Sequence, residues 1–254
     1  MKDLIRYIRI AVLHLLYRLR PVLVLTDKTV IIAPHPDDEV IGCAGLIQAL
    51  VERGTPPHVI ILTGGEGSHR GCCNTSAEEI VAARHQLTLK AAATLGLPES
   101  HIHYLHYPDG GVVLEHSETE RLQALLSELV PQSVFVPHCG EGWSDHLQAA
   151  EITKHLLKGQ KVSIYEYCVW MWYYNVWRLD SRNARVLRLS RAQHQRKLQA
   201  IEEYVTPLAP CDKPWSGVLP EPFLKAAMWR KELYFILKDP GEEIYWHCNW
   251  NRYI

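Results

Sequence analysis

The chain has 254 residues, 47% of them hydrophobic and 22% charged, with a formal net charge of −1. That length can bury a substantial core, and that composition excludes a disordered or collagen-like chain. Near-neutrality gives no electrostatic reason to expect nucleic acid as a partner.

At the N-terminus, residues 4–19 (LIRYIRIAVLHLLYRL) are apolar but interrupted by Arg6, Arg9, His14 and Arg18. The uninterrupted apolar stretch falls well short of the roughly 20 residues that a membrane span needs. No small-residue cleavage site follows it, which argues against a signal peptide. Residues 1–20 read as a basic amphipathic helix, either packed on the domain or lying peripherally on an anionic membrane surface.

Beyond Pro21, short β-branched runs alternate with longer helical stretches. Strands are expected at 29–33, 58–63, 101–107, 133–137 and 161–169, and helices at 40–53, 77–95, 118–129 and 146–157. Apolar residues recur at three- and four-residue spacing in each helix. Gly96, Pro98, Pro131 and Gly159 stand just past helix ends, where breakers belong. The alternation predicts the α/β class, with a mostly parallel sheet covered on both faces.

After about residue 170 the regularity fades. Residues 171–183 are aromatic and basic, 190–204 read as a helix, and 207–222 as a Pro-rich loop. A helix over 222–232, an apolar run at 233–237 and the segment 243–253 follow. Residues 21–254 are therefore expected to form a single domain whose C-terminal part, about 170–254, is a loop-rich aromatic cap. The seven cysteines, Cys43, Cys72, Cys73, Cys139, Cys168, Cys211 and Cys248, show no Cys-x-x-Cys spacing. Reduced thiols in a cytoplasmic protein are the simplest expectation.

The chemistry concentrates at two strand ends. The first strand runs into Pro34-His35-Pro36-Asp37-Asp38-Glu39, and a helix follows at once. Pro36 fixes its own φ and biases His35 toward an extended conformation. Three clustered carboxylates need protonation, hydrogen-bonding partners or a cation. Carboxylates at a helix start also complement its dipole, and that capping reading stays open. The fourth strand leads into His138-Cys139-Gly140-Glu141-Gly142-Trp143-Ser144-Asp145-His146 before another helix. A hydrolytic zinc site takes three protein ligands and leaves one position for water. His35, Asp38 and His146 are the expected three.

These residues resemble the PIG-L/LmbE-like de-N-acetylases. The first signature is matched by Pro34–Glu39 and the distal one by Asp145-His146; Leu62-Thr63-Gly64-Gly65, Arg84 and Pro108-Asp109-Gly110 look like further family landmarks. The resemblance runs from about residue 28 to 170 and more weakly to 235. It implies a Rossmann-like three-layer α/β/α fold and one zinc ion held by His35, Asp38 and His146. It also implies Asp37 as general base, and Arg84 and Asp109 facing an N-acetylated sugar or glycoconjugate. Many relatives carry a further histidine where this chain has Trp143, so its oxyanion-assisting role is lost or is filled by His138 or Glu141. Glu39 and Asp145 are expected to support the ligands.

Two readings compete with zinc-dependent deacetylation. Trp143 keeps open a glycan- or nucleotide-binding protein that has lost turnover. A two-metal phosphoesterase ranks last, because further ligands are too few. The aromatic stretch containing Tyr165, Tyr167, Trp170, Trp172, Tyr173, Tyr174 and Trp177 could pack the cap or offer sugar-stacking surfaces. Arg178, Arg182, Arg185 and Arg188 could add an anion-binding rim. Gly64–Ser68 reads as a flexible loop at the site rim, and His101, His103 and His106 as a His-rich strand.

Overall fold

The computed structural model describes residues 2–71, 74–174 and 182–238. Cys72, Cys73, Trp177, Arg178, Cys248 and the segment 243–253 lie outside the described residues.

A seven-stranded sheet forms the centre, in the order β3-β2-β1-β4-β5-β7-β6. Its strands are β1 (Thr29–Ala33), β2 (His58–Thr63), β3 (Ile102–Tyr107), β4 (Ser133–Pro137), β5 (Ser163–Tyr167), β6 (Ala184–Arg188) and β7 (Lys231–Lys238). The first five run parallel, whereas β7 pairs antiparallel with both β5 and β6. All five residues of β1, Thr-Val-Ile-Ile-Ala, are buried, as a strand covered on both faces requires.

Helices α1 (Lys2–Leu16), α2 (Asp38–Glu52), α3 (Ala77–Leu95), α4 (Glu118–Leu129), α5 (Ser144–Leu156), α6 (Arg191–Val205) and α7 (Glu221–Ala227) complete the architecture. One core packs Leu46 and Ile47 of α2, Leu87 of α3 and Ile201 of α6 against one sheet face. The other packs Leu122 of α4 and Ala149 of α5 against the opposite face. The chain is a three-layer α/β/α protein. Helix α2 rides close to the sheet because it carries glycine where it crosses: a Cβ on Gly42 would lie 2.3 Å from the Tyr167 ring.

The order of strands reverses between β1 and β4. Chain progression moves outward through β2 and β3 on one side, then returns to place β4 on the other. Loops diverge there at the carboxyl ends, leaving a crevice in which open α/β sheets place ligands.

The C-terminal third departs most from expectation. Within the expected loop-rich cap, β6 and β7 extend the sheet itself, in register from Ala184↔Phe235 to Arg188↔Lys231. Helix α7 ends at Ala227 rather than continuing to 232, because the chain turns there into β7. Cys43 and Cys168 are free thiols, but Cys139 is disulfide-bonded, so the expectation of uniformly reduced thiols fails there.

Helix α1 is attached by Ile10 and Leu13, which join a core cluster with Trp172 and Phe235, and by two buried polar residues. Arg9, 1% exposed, donates to the main-chain carbonyls of Met171, Trp172 and Tyr174. His14 is buried against Trp172 and Trp229, with ring centroids 5.1 and 3.2 Å away. Burial, aided by the Lys231 and Lys197 cations, lowers His14 to about 2. The folded state therefore refuses a proton that the unfolded chain accepts near pH 6.5, and stability falls as pH drops below that value. The limiting slope for one such group is about 1.4 kcal/mol per pH unit. His14→Phe is expected to remove that slope between about pH 6.5 and 5, as read from urea unfolding. An unchanged pH profile would show that His14 protonates freely in the folded protein.

Candidate active site

The residues after β1 and β4 meet across the crevice. Asp38 Oδ2 lies 3.3 Å from His35 Nδ1 and 3.2 Å from His146 Nε2. Donors held about 2.0–2.1 Å from a zinc-like ion at tetrahedral angles are themselves about 3.3 Å apart. The three ligand atoms all fall within 4.8 Å of one another. Both His146 nitrogens are buried without a geometrically acceptable hydrogen-bond partner. The donor set and its spacing fit a divalent cation.

Each imidazole is backed by carboxylates on its other nitrogen. His35 Nε2 lies 3.3 Å from Asp145 Oδ2 and 3.4 Å from Asp109 Oδ1. Behind His146, Glu141 Oε2 sits 3.3 Å from Nδ1. Glu141 is in turn fixed by amide donors: Val169 N–H at 2.8 Å, Met171 N–H at 3.3 Å, and that of Trp170. A carboxylate on the remote nitrogen fixes the tautomer that leaves the near one free for a metal. Burial pulls both imidazole pKa values down, but the adjoining carboxylates outweigh it. His146 is raised to about 9 and His35 well above its ordinary value. The carboxylates around the two imidazoles thus favour positive charge at this point.

Asp37 has an unusual backbone, with φ at 121°, where side chains are strained. The Glu39 carboxylate accepts the Asp37 N–H at 2.9 Å and is itself bonded by the Tyr204 hydroxyl. Thr88 Oγ1 lies 2.9 Å from the same hydroxyl oxygen. Glu39 thus braces the turn, rather than merely complementing a helix dipole. Burial pushes Asp37 up to about 8, although the Arg84 guanidinium pulls it the other way.

Arg84 lies 3.1 Å from Asp37 Oδ2, and donates to Gly65 O at 3.0 Å and to the Pro36 carbonyl. Both terminal nitrogens are thus bonded within the protein, while Nε is buried without a hydrogen-bond partner. The glycine-rich loop after β2 makes this approach feasible: a Cβ on Gly65, at φ 69°, would lie 2.2 Å from the guanidinium. Likewise a Cβ on Gly67 would stand 2.8 Å from Asp109, whose carboxylate accepts the Gly67 N–H at 2.8 Å. Asp109 resists burial's upward push through its bonds to His35 and Gly67, and its pKa is lowered. Asp145 ties the two halves together, accepting Gly110 N–H at 2.7 Å and Val112 N–H at 3.3 Å.

A cleft of about 320 Å³ opens above these residues. It is lined by His35, Asp37, Asp38, Arg84, Asp109, Asp145 and His146, together with Arg70, Trp143 and Trp170. Trp143 is the N-cap residue of α5 and 47% exposed; it meets Trp170 edge-on at 5.6 Å. His146 is consequently the third residue of α5, not its first.

The expected substitutes for the missing histidine do not reach the cleft. His138 is buried, accepting Gly140 N–H at 2.9 Å with Nε2 3.6 Å from Glu166, and Glu141 is fully buried behind His146. No imidazole stands in for Trp143 among the residues lining the cleft. His138, Cys139 and Glu166 also cluster, but a disulfide-bonded sulfur cannot ligate as thiolate. Arg185 and Arg188 stand on the edge strand β6 and do not line the cleft, whereas Arg70, which sequence reasoning missed, does. Glu141 is named by the sequence as a residue near the site, but its place behind His146 is seen only in the structure. Its only sequence signal is a carboxylate five residues before a ligand histidine.

Two imidazoles and a carboxylate at a switch-point crevice, with a further carboxylate beside them, form a candidate metal centre. The family model described as PIG-L, GlcNAc-PI de-N-acetylase, matches residues 30–157, half of the chain, and the chain belongs to that family. No curated protein matches the sequence. Among solved structures, N,N'-diacetylchitobiose deacetylase from Pyrococcus horikoshii is similar at 21% identity and a TM-score of 0.57. That likeness covers 69% of this chain and 68% of the other. The A40926 pseudoaglycone deacetylase Dbv21 is similar at 16% identity and 0.63, over 84% and 98% of the two chains. So is GalB, the 4-carboxy-2-hydroxymuconate hydratase from Pseudomonas putida KT2440, at 16% and 0.61, over 85% and 98%. Such identities establish the fold. With a hydratase among the deacetylases, the fold alone assigns no reaction.

Substituting Glu141 with Gln keeps the shape but removes the charge behind His146. Metal affinity is expected to fall about 10–100-fold, measured by competition with a chromogenic chelator. Undiminished affinity would assign Glu141 to the Val169–Met171 turn alone.

Proposed function

We propose that the protein removes the N-acetyl group from an N-acetylated amino sugar or glycoconjugate, releasing acetate. The observation that carries this reading is the His35–Asp38–His146 donor set, spaced for one cation, with Asp37 beside it in an open cleft. Family membership and the deacetylases among its structural relatives support the same chemistry.

The mixed nitrogen and oxygen donors suit zinc. When bound, such an ion polarises an amide carbonyl and lowers the pKa of water toward about 7. Asp37 is the group that takes the proton from the attacking water. Once protonated, Asp37 is placed to return that proton to the departing amine. Arg84 and Glu39 hold Asp37 in place, through its carboxylate and its amide respectively. In this reading Arg84 orients the base and does not bind substrate. Asp109 and Arg70 are left to meet the sugar's hydroxyls or an appended anion, and the edge-on Trp143–Trp170 pair to receive the C–H face of the ring.

One observation favours a second reading. The loss of an assisting imidazole at Trp143 suits a binding protein that holds the sugar without cleaving it. The deciding experiment measures acetate release from a panel of GlcNAc conjugates, with chelator-treated and zinc-reconstituted protein side by side. Zinc-dependent acetate release establishes the hydrolase. Saturable sugar binding without acetate establishes the binder.

A further inference from the structure

Helix α1 buries Ile10 and Leu13 together with Arg9 and His14 on its inner face, yet a second apolar face, Leu4, Ile5, Ile8, Val12, Leu15 and Leu16, points outward. At 3.6 residues per turn these six, with the exposed Ala11, fill one uninterrupted arc of roughly 140°. Leu4 is 62% and Leu15 66% exposed; Leu19 at 83%, with Val22 and Val24, carries the apolar surface past the helix end. Scattered exposed aliphatics need no explanation, but a contiguous arc of this kind marks an interaction surface.

The charges beside the arc identify its partner. Arg18, Arg20 and Arg188 gather at its C-terminal end, and Arg188 donates to the Arg18 carbonyl. Among the described residues none of these three has a carboxylate at ion-pair distance. Lys231 adjoins them: burial, then Arg18 and Arg188, lower its pKa. The nearby acids are already engaged, Asp3 with Arg6 and Glu221 with Lys225, each at 2.7 Å. A second copy docked through the same face would bring its own Arg18, Arg20 and Arg188 to this surface, where Asp3 and Glu221 are already paired. An anionic headgroup layer matches both halves of the surface, aliphatic side chains below and guanidinium groups at the rim. No helix among the described residues is long and apolar enough to cross a membrane.

We infer that the outward face of α1 seats the protein on an anionic lipid surface, lying in the interface plane. The inference goes beyond the deacetylase reading and does not depend on it. It does bear on the site. Arg6 and Arg9 grip the carbonyls of residues 171–174, which directly follow the cleft-lining Trp170. The lipid-facing helix and one wall of the cleft thus form a continuous packed unit.

The test is flotation of the full chain with vesicles of phosphatidylcholine alone, and of phosphatidylcholine mixed with phosphatidylglycerol. Sedimentation velocity reports the oligomeric state in parallel. The wild type should float with the anionic vesicles, and float less as salt rises. Ile8→Asp/Leu15→Asp should lower that partitioning about tenfold or more, and Arg18→Glu/Arg188→Glu should abolish the preference for anionic over neutral vesicles. Both variants alter exposed positions; if either unfolds by circular dichroism, Leu15→Gln and Arg188→Gln replace them. Failure of the wild type to float overturns the proposal. So does equal flotation with both vesicles, or a dimer that Ile8→Asp/Leu15→Asp dissociates. Because flotation needs no substrate, its outcome is independent of acetate release.

Discussion

Asp37→Asn is expected to lower acetate release about 10²–10⁴-fold, the range a positioned acid–base group contributes, while bound metal stays unchanged. Asparagine preserves the volume and can still accept from Arg84, so the Pro36–Gly65 cradle around that guanidinium should persist. What vanishes is a basic oxygen at the end of a strained turn. Asp37 is not among the three donors, which predicts the separation of metal content from turnover. Metal analysis together with a steady-state assay checks both halves. A variant that turns over normally would remove Asp37 from the proton transfer.

His146→Ala should act on the other half. It deletes the one donor contributed by the second strand end, leaving His35 and Asp38 as the remaining pair. It also leaves Glu141 buried and facing an empty space. Metal content after dialysis should drop to a small fraction of wild type, and acetate release with it. Added imidazole should restore part of both, because the vacated space has that shape. Full metal occupancy in His146→Ala would dismantle the ligand assignment.

How far the sequence reaches depends on how local each signal is. Strands β1, β2 and β4 are legible because each is a compact β-branched run bounded by turn residues. The run from His35 to Glu39 and the distal Asp145-His146 are contiguous motifs, and the structure brings them together. Strand β6 escapes notice because Ala-Arg-Val-Leu-Arg is short and basic, and follows an aromatic stretch that reads as a cap. Its strand character comes from pairing with β7 some 45 residues later, which is non-local information. Arg84 reads as a helix residue suited to a substrate anion. Only the missing Cβ of Gly65, seen in three dimensions, shows where its guanidinium goes. For Glu141, nothing in the spacing separates a cleft residue from one buried behind a ligand.

The backbone of Asp37 has a consequence for anyone engineering this protein. At φ 121° glycine is the comfortable residue and aspartate is not. Asp37→Gly would relieve that strain, but it would also leave the Arg84 guanidinium buried without its carboxylate partner, so the strained aspartate holds the turn and the cation together.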